Sequence, residues 1–218
     1  MTAIIQGSPE WHAIRCGKVT ASRVADVVAK TKNGASASRA TYMGELIAER
    51  LTGQPAVKFT NAAMDWGTAT EAEARNAYAF YFDADVLHVA FVDHGSIAMT
   101  GASPDGIIKD DGLVEIKCPN TATHIETLLS GIVPSKYRTQ MQWQLACTCR
   151  TWCDFVSYDP RMPETMRLFV RRISRDDQTI ADLEQEVSAF LNELDHKVAQ
   201  LRTAYDLDGT LKKSLEAA

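Results

Sequence analysis

No stretch of this 218-residue sequence approaches the run of about 18 apolar residues that a membrane-crossing helix needs. The opening Met1-Thr2-Ala3-Ile4-Ile5 lacks both a basic start and a long apolar stretch, so no secretory leader is expected. A disulfide framework is also missing. The cysteines (Cys16, Cys118, Cys147, Cys149, Cys153) are odd in number and irregular in spacing, which fits a reducing, cytoplasmic compartment. They include no CxxC pair, and helical neighbours two apart do not face each other, so they read as small apolar residues and not as zinc ligands. His12 and His124 have no partner at ligand spacing and read as structural. Internal repeats and low-complexity tracts are absent. So is any general excess of basic residues: the net charge is −5, which excludes a basic coat for non-specific nucleic-acid binding but leaves room for a local basic groove.

What is present is an ordinary globular composition, 45% apolar and 23% charged, in a chain long enough for one core. One domain over residues 1–204 is expected, with 205–218 as a flexible tail. Charge is segregated. Arg161, Arg167, Arg171, Arg172 and Arg175 fall in one stretch with Glu164 as the single acid, either as a solvated strand face or as a binding surface.

Ser8 and Pro9 predict a helix start running to about Arg15. Thr20 predicts the cap of a second helix through Ala29, residues 30–37 an exposed loop, and Ser38 the start of a third helix that Gly53 ends. A long helical pattern covers about 62–82. The period changes after Ala84: Val86–Val92 and Ile97–Ala102 read as strands, then Asp105–Ile108 and Leu113–Cys118 around an Asp110-Asp111-Gly112 turn. Helices are expected at about 121–130 and 135–149, strands at 152–158 and 166–173, and a long amphipathic helix from Asp177 to Ala204. This order predicts an α/β fold with a mixed central sheet flanked by helices.

The most informative stretch is residues 103–118. Alternation along a strand puts Glu115 and Lys117 on one face and turns Ile116 toward a core. Folding back across the turn brings Asp105 near them, although the sequence leaves the register open and a one-residue slip would change the face Asp105 presents. Two close carboxylates repel unless a cation lies between them, and a hard cation such as Mg²⁺ prefers oxygen ligands, to which the Ile116 carbonyl could add one. Mn²⁺ accepts the same donors. Lys117 is a compact charge suited to holding an attacking water and neutralising a phosphoryl transition state. A surface salt bridge on a hairpin is the plainer alternative, but the neighbours Ile107, Ile108, Leu113, Val114 and Ile116 are apolar, and charge on a buried hairpin needs a reason.

Ser103-Pro104-Asp105-Gly106 followed by Leu113-Val114-Glu115-Ile116-Lys117-Cys118-Pro119 resembles the core of the PD-(D/E)xK nucleases, which share a restriction-endonuclease-like fold. More narrowly it resembles the lambda-exonuclease type, the YqaJ-like viral recombinases. Trp11-His12-Ala13-Ile14-Arg15 with Val19-Thr20-Ala21-Ser22, then Trp66-Gly67 with Glu71 and Arg75, then Gln140-Met141-Gln142, then Tyr158-Asp159-Pro160-Arg161-Met162, are similar to further blocks of that family in the same order. The resemblance implies that Asp105, Glu115 and the Ile116 carbonyl bind metal, that Lys117 is catalytic, and that Glu71 assists the metal site. It implies that Arg15 and Ser22 hold the 5′-phosphate of a DNA end and that Gln140 lies close by. It also implies a Mg²⁺-dependent 5′-to-3′ exonuclease on double-stranded DNA, releasing mononucleotides and leaving a 3′ strand for phage-type recombination. A homotrimeric ring and a single-strand annealing partner are implied too, in the cytoplasm of a bacterial host.

On the residues alone, Glu71, Gln140 and Gln142 could be solvated helix surface. Met64 could be core, or a wedge that splays a terminal base pair. The family pattern is not met everywhere. Lys30 and Lys32 stand where an arginine would reach for DNA, and lysine lacks its bidentate fork. Asn120-Thr121-Ala122-Thr123 adds no basic residue after Pro119. An acidic ring with a basic bore would reconcile the net charge with DNA tracking. An internally cutting nuclease of restriction or repair type, and a non-catalytic DNA-end-binding protein, are the alternatives.

Overall fold

The computed structural model of the chain describes residues 4–32, 34–56 and 62–205. Ser8 caps α1 (Pro9–Arg15): its Oγ accepts the Trp11 amide at 3.2 Å, with Pro9 in the first turn. Thr20 does not cap a helix running to Ala29. It ends β1 (Val19–Thr20), paired in parallel with Gly101, and its amide donates to Tyr42 Oη at 3.1 Å. This pairing holds the backbone extended, so only a 3₁₀ turn at Ala21–Arg23 and the short α2 (Val24–Val28) follow. The expected loop at 30–37 is partly a ribbon of β2 (Lys30–Thr31) and β3 (Gly34–Ala35), with Lys32 exposed at its turn. Ser36, not Ser38, caps α3 (Ala37–Thr52): its Oγ accepts the Arg39 amide at 3.2 Å, while Ser38 is already inside the helix. Gly53 ends α3 at φ 67°, a left-handed position suited to glycine. The long helix α4 (Ala62–Phe82) lies where its spacing places it.

The expected strand 86–92 divides into β4 (Val86–Leu87) and β5 (Val92–Asp93). Side chains claim the backbone between them: Gln6 Nε2 donates to the Val89 carbonyl at 2.7 Å and Trp11 Nε1 to that of Ala90 at 2.9 Å. Three more strands follow: β6 (Thr100–Ala102), β7 (Gly106–Ile108) and β8 (Gly112–Lys117). Next come α5 (Thr121–Ser130), α6 (Ser135–Thr148), β9 (Trp152–Tyr158), β10 (Leu168–Ser174) and α7 (Asp177–Ala204).

The described strands form two mixed sheets and the ribbon, and the larger is the mixed central sheet flanked by helices that the order of elements predicts. The larger has the order β10-β9-β8-β7-β4, with β8 and β9 parallel and its other pairs antiparallel. The smaller is β1-β6-β5. Helices cover both faces of the larger sheet. Leu113 and Phe155 pack with Met141 and Leu145 of α6, whereas Val114, Ile116 and Val156 pack with Ala74 and Tyr78 of α4. A third cluster joins α2 and α3 to Val187, Phe190 and Leu194 of α7. His124 is structural, as expected: fully buried, it bonds Ser157 Oγ and the Met166 carbonyl, each at 2.8 Å.

The turn between β7 and β8 is Lys109–Asp111, one residue earlier than expected, because Gly112 already belongs to β8. Gly106, next to Asp105, leaves no room for a side chain: a Cβ there would stand 2.2 Å from Val86 Cγ1 and 2.9 Å from Val114 Cγ1. Gly106→Ala is therefore expected to destabilise the protein by about 1–3 kcal/mol, read as a lowered urea midpoint.

Candidate active site

The β7–β8 register pairs Gly106 with Val114 and Ile108 with Gly112, so one further step sets Asp105 opposite Glu115. β7 stops there. The Ile116 amide, left without a strand partner on that edge, donates to Asp105 Oδ2 at 2.6 Å. A strand residue's N–H and C=O point to the same edge, so the Ile116 carbonyl shares the Asp105 side. Its side chain is buried against α4, as alternation predicts.

Glu115 is fully buried on the opposite, α6 face. Its Oε1 accepts from Gln140 Nε2 at 2.6 Å and forms an ion pair with Lys117, and its Oε2 accepts from Gln144 Nε2 at 2.6 Å. The Lys117 ammonium is also 5.3 Å from the centre of the Tyr137 ring. Glu71, on α4, takes a hydrogen bond and ion pair from Arg75 one turn on, and Arg75 Nε reaches the Asp105 carbonyl at 3.2 Å.

Burial pushes the Asp105 carboxyl well above its ordinary range, and the negative charges of Glu115 and Glu71 add to this; Lys117 and the Ile116 amide only partly offset them. Burial works the other way on Lys117, but Glu115 and Asp105 overcome it and hold the ammonium above the usual lysine value. Burial, with Glu71 and Asp105, pushes the Cys118 thiol up to about 12, which keeps it protonated and unsuited to bind metal.

A buried and a half-buried carboxylate that repel each other, with a backbone carbonyl on the same edge, are a hard oxygen donor set that suits a divalent cation. Among the described residues no three of His, Cys, Asp or Glu converge as a ligand set, so the fit rests on Asp105, Glu115 and the Ile116 carbonyl. Glu71 is engaged with Arg75 and does not complete a triad.

A cavity of about 170 Å³ is lined by Arg15, Ser22, Asp105, Lys117 and Gln140, together with Trp11 and Ser103. A larger adjoining cleft brings in Glu71, Ile116, Tyr137 and Lys136. Arg15 is half-buried, lies 3.6 Å over the Trp11 ring, and its Nε has no hydrogen-bond partner among the described residues. Burial pushes its pKa down to about 10, with Tyr42 and Glu49 offsetting in part, so it is charged at neutral pH. The nearby Glu49 carboxylate is taken by the amides of Gly17 and Ala56. The guanidinium is thus a cation with bonding capacity to spare, beside an exposed serine hydroxyl.

Seven of the ten site residues named from sequence therefore line these two cavities, and Glu115 lies just beneath them. Lys32 lines neither, and Lys30 is paired with Glu186. The side chain of Met64 lies outside the described residues, as do residues 206–218 of the expected tail. In the arginine run, Arg161 is paired with Asp159, Arg172 with Asp154 and Arg175 with Asp177, and of these three only Arg172 lies on a strand.

Sequence reasoning missed Gln144 and Tyr137, and it named Arg75 only within a block, with no role. Gln144 had a signal: it stands four residues after Gln140, on the same helix face, among Met141, Trp143 and Leu145. Gln142 faces elsewhere, donating to the Ser174 carbonyl at 2.8 Å and accepting from the Asp176 amide at 2.9 Å.

A central strand carrying Glu-x-Lys, a turn aspartate across from it and helices on both faces define an enzyme of the PD-(D/E)xK nuclease type. Residues 10–151 match the YqaJ-like viral recombinase domain, and the chain belongs to that family. It is similar to the alkaline exonuclease LHK-Exo from Laribacter hongkongensis, at 54% identity over 92% of this chain and 100% of that one, with a TM-score of 0.86. A second structure, LHK-Exo in complex with dAMP, matches at 51% identity over 97% of this chain and 100% of that one, with a TM-score of 0.84. A phage-related exonuclease from Haemophilus somnus 129PT, at 16% identity and a TM-score of 0.63 over 84% of this chain and 96% of that one, shares the fold. No curated relative matches.

Proposed function

We propose that this chain is a Mg²⁺-dependent 5′-to-3′ exonuclease that degrades one strand of double-stranded DNA from its end. The observation that carries this reading is the shared cavity: a half-buried, underused cation (Arg15) and Ser22 face the same space as Asp105 and Lys117. A terminal 5′-phosphate held by Arg15 and Ser22 would put the first internucleotide linkage beside the acid pair. Asp105, Glu115 and the Ile116 carbonyl would hold the cation, which when bound polarises the scissile phosphate and activates water. Mn²⁺ would substitute, since it accepts the same oxygen donors.

Lys117 does the protein's share of the chemistry. Its ammonium, fixed by Glu115 and the Tyr137 ring, donates to the attacking water and offsets charge building on the phosphoryl oxygens. Glu71 adds negative charge near Asp105 and is steadied by Arg75. The relative captured with dAMP supports mononucleotides as products. Family membership supports a role in phage-type recombination, in which the remaining 3′ strand would be taken up by a single-strand annealing protein in the bacterial cytoplasm. A homotrimeric ring around the duplex would supply processivity and would confine positive potential to the bore of an acidic protein. Among the described residues no helix is long and apolar enough to cross a membrane.

Linear duplex labelled at either end tests this reading. Label at the 5′ end is expected to be released first, faster with a 5′-phosphate than with a 5′-hydroxyl, and only with a divalent cation. Covalently closed circular duplex is expected to stay intact. Release from the 3′ end, or linearisation of the circle, contradicts the proposal.

A further inference from the structure

Gln144 lines neither cavity of the candidate site, yet it is wholly buried and commits its amide to the Glu115 carboxylate. Burying an amide in an apolar core is costly unless it is bonded, and packing alone at this position would be served better by a hydrocarbon. Its neighbour on α6, Leu145, is such a residue and is equally buried. The terminal torsion of a glutamate is broad, so a carboxylate held from one side only can roll. Here both oxygens are engaged. Gln140 and Lys117 hold Oε1, and Gln144, one helical turn from Gln140, holds Oε2. Among the described residues the other end of the Gln144 amide meets only the Cys153 thiol, a weak donor, at 3.9 Å.

We infer that Gln144 is a positioning residue that fixes the roll of the Glu115 carboxylate, keeps Oε1 on the side of Lys117 and Gln140, and so sets how tightly the acid pair takes a divalent cation. This rests on the reading that Asp105 and Glu115 bind the cation. Gln144 acts only through Glu115, because nothing places it against substrate. Partners that orient a ligating carboxylate typically change metal affinity by about 10–100-fold when removed.

The test is calorimetric titration of the DNA-free protein with Mn²⁺ alone. Glu115→Gln, which keeps shape and removes charge, is expected to abolish binding. Gln144→Met, which keeps volume and removes the donor, is expected to weaken it about 10–100-fold. Gln142→Met also loses a buried amide but one bonded to Ser174 and Asp176; it is expected to lower the melting temperature and to keep Mn²⁺ affinity within about twofold of wild type, well short of the change expected of a ligand-orienting partner. If Glu115→Gln binds Mn²⁺ normally, the cation reading itself fails. If Glu115→Gln is silent but Gln144→Met titrates like wild type, or Gln142→Met shifts as far, the positioning role alone fails. Should Gln144→Met not fold, Gln144→Asn keeps an amide one methylene short of Glu115. A loss of about tenfold is expected of it, and unchanged affinity overturns the inference.

Discussion

Lys117→Ala is expected to lower nucleotide release from linear duplex DNA by about 10²–10³-fold, in kcat more than in KM. The ammonium is the one side-chain cation that lines both cavities. Its contribution would arise as charge gathers on the reacting phosphate, whereas the DNA end would be held by Arg15 and Ser22. The fold is expected to survive, since Glu115 keeps its bonds from Gln140 and Gln144. Stability is expected to drop nonetheless. Lys117 holds its proton more firmly in the folded chain than its ordinary value of 10.5, so while Glu115 and Asp105 are ionised it stabilises the protein up to that value, and the benefit is lost as pH rises above it. Initial rates with circular dichroism melts separate the two effects. Equal turnover by Lys117→Ala and wild type removes the assignment.

Asp105→Asn is expected to move activity and stability in opposite directions. Release of nucleotides should fall by about 10³-fold or more, because the acid pair loses one of its two charges for the cation. Without metal, the variant should melt at a higher temperature than wild type at neutral pH. The folded state raises the Asp105 pKa above its ordinary 3.8, chiefly through burial and Glu115. A group raised in this way favours folding only while protonated; the benefit is present below 3.8 and disappears as pH climbs through the higher folded value. At neutral pH the ionised carboxylate is therefore a burden on the metal-free fold. Asparagine removes the charge and can still accept the Ile116 amide. The advantage of the variant should grow from acid to neutral pH in chelator, and shrink when Mn²⁺ is added. A variant less stable than wild type at neutral pH in chelator contradicts this account.

Much of the site was legible because it is written in local patterns. Strand alternation places Glu115 and Lys117 together and Ile116 apart without knowledge of any partner strand. Turn chemistry brings Asp105 back to them within one residue of the observed turn. Long elements with clear spacing, α4 and α7, lie about where their spacing predicts. What escaped is non-local. Whether 86–92 forms one strand depends on Gln6 and Trp11 taking its carbonyls, contacts about 80 residues away along the chain. The helix at Thr20 gives way to a ladder with Gly101, which no window around Thr20 contains. Gln144 was overlooked because α6 is buried on all sides from Gln140 to Cys147, so no polar stripe marks the face that covers Glu115.

The passage from the smaller sheet to the larger has a mechanical meaning. β6 ends at Ala102 and β7 begins at Gly106, leaving Ser103, Pro104 and Asp105 as the whole bridge. Trp11 fastens that bridge by donating to Ser103 Oγ at 3.0 Å, and Gln6 fastens it again at the Pro104 carbonyl at 2.9 Å. The same short helix ends in Arg15. The gap between guanidinium and carboxylate is thus a gauge cut from neighbouring stock. Trp11 and Gln6 tie the segment that carries Asp105 to the stretch of chain that carries Arg15, so the two jaws share one mounting.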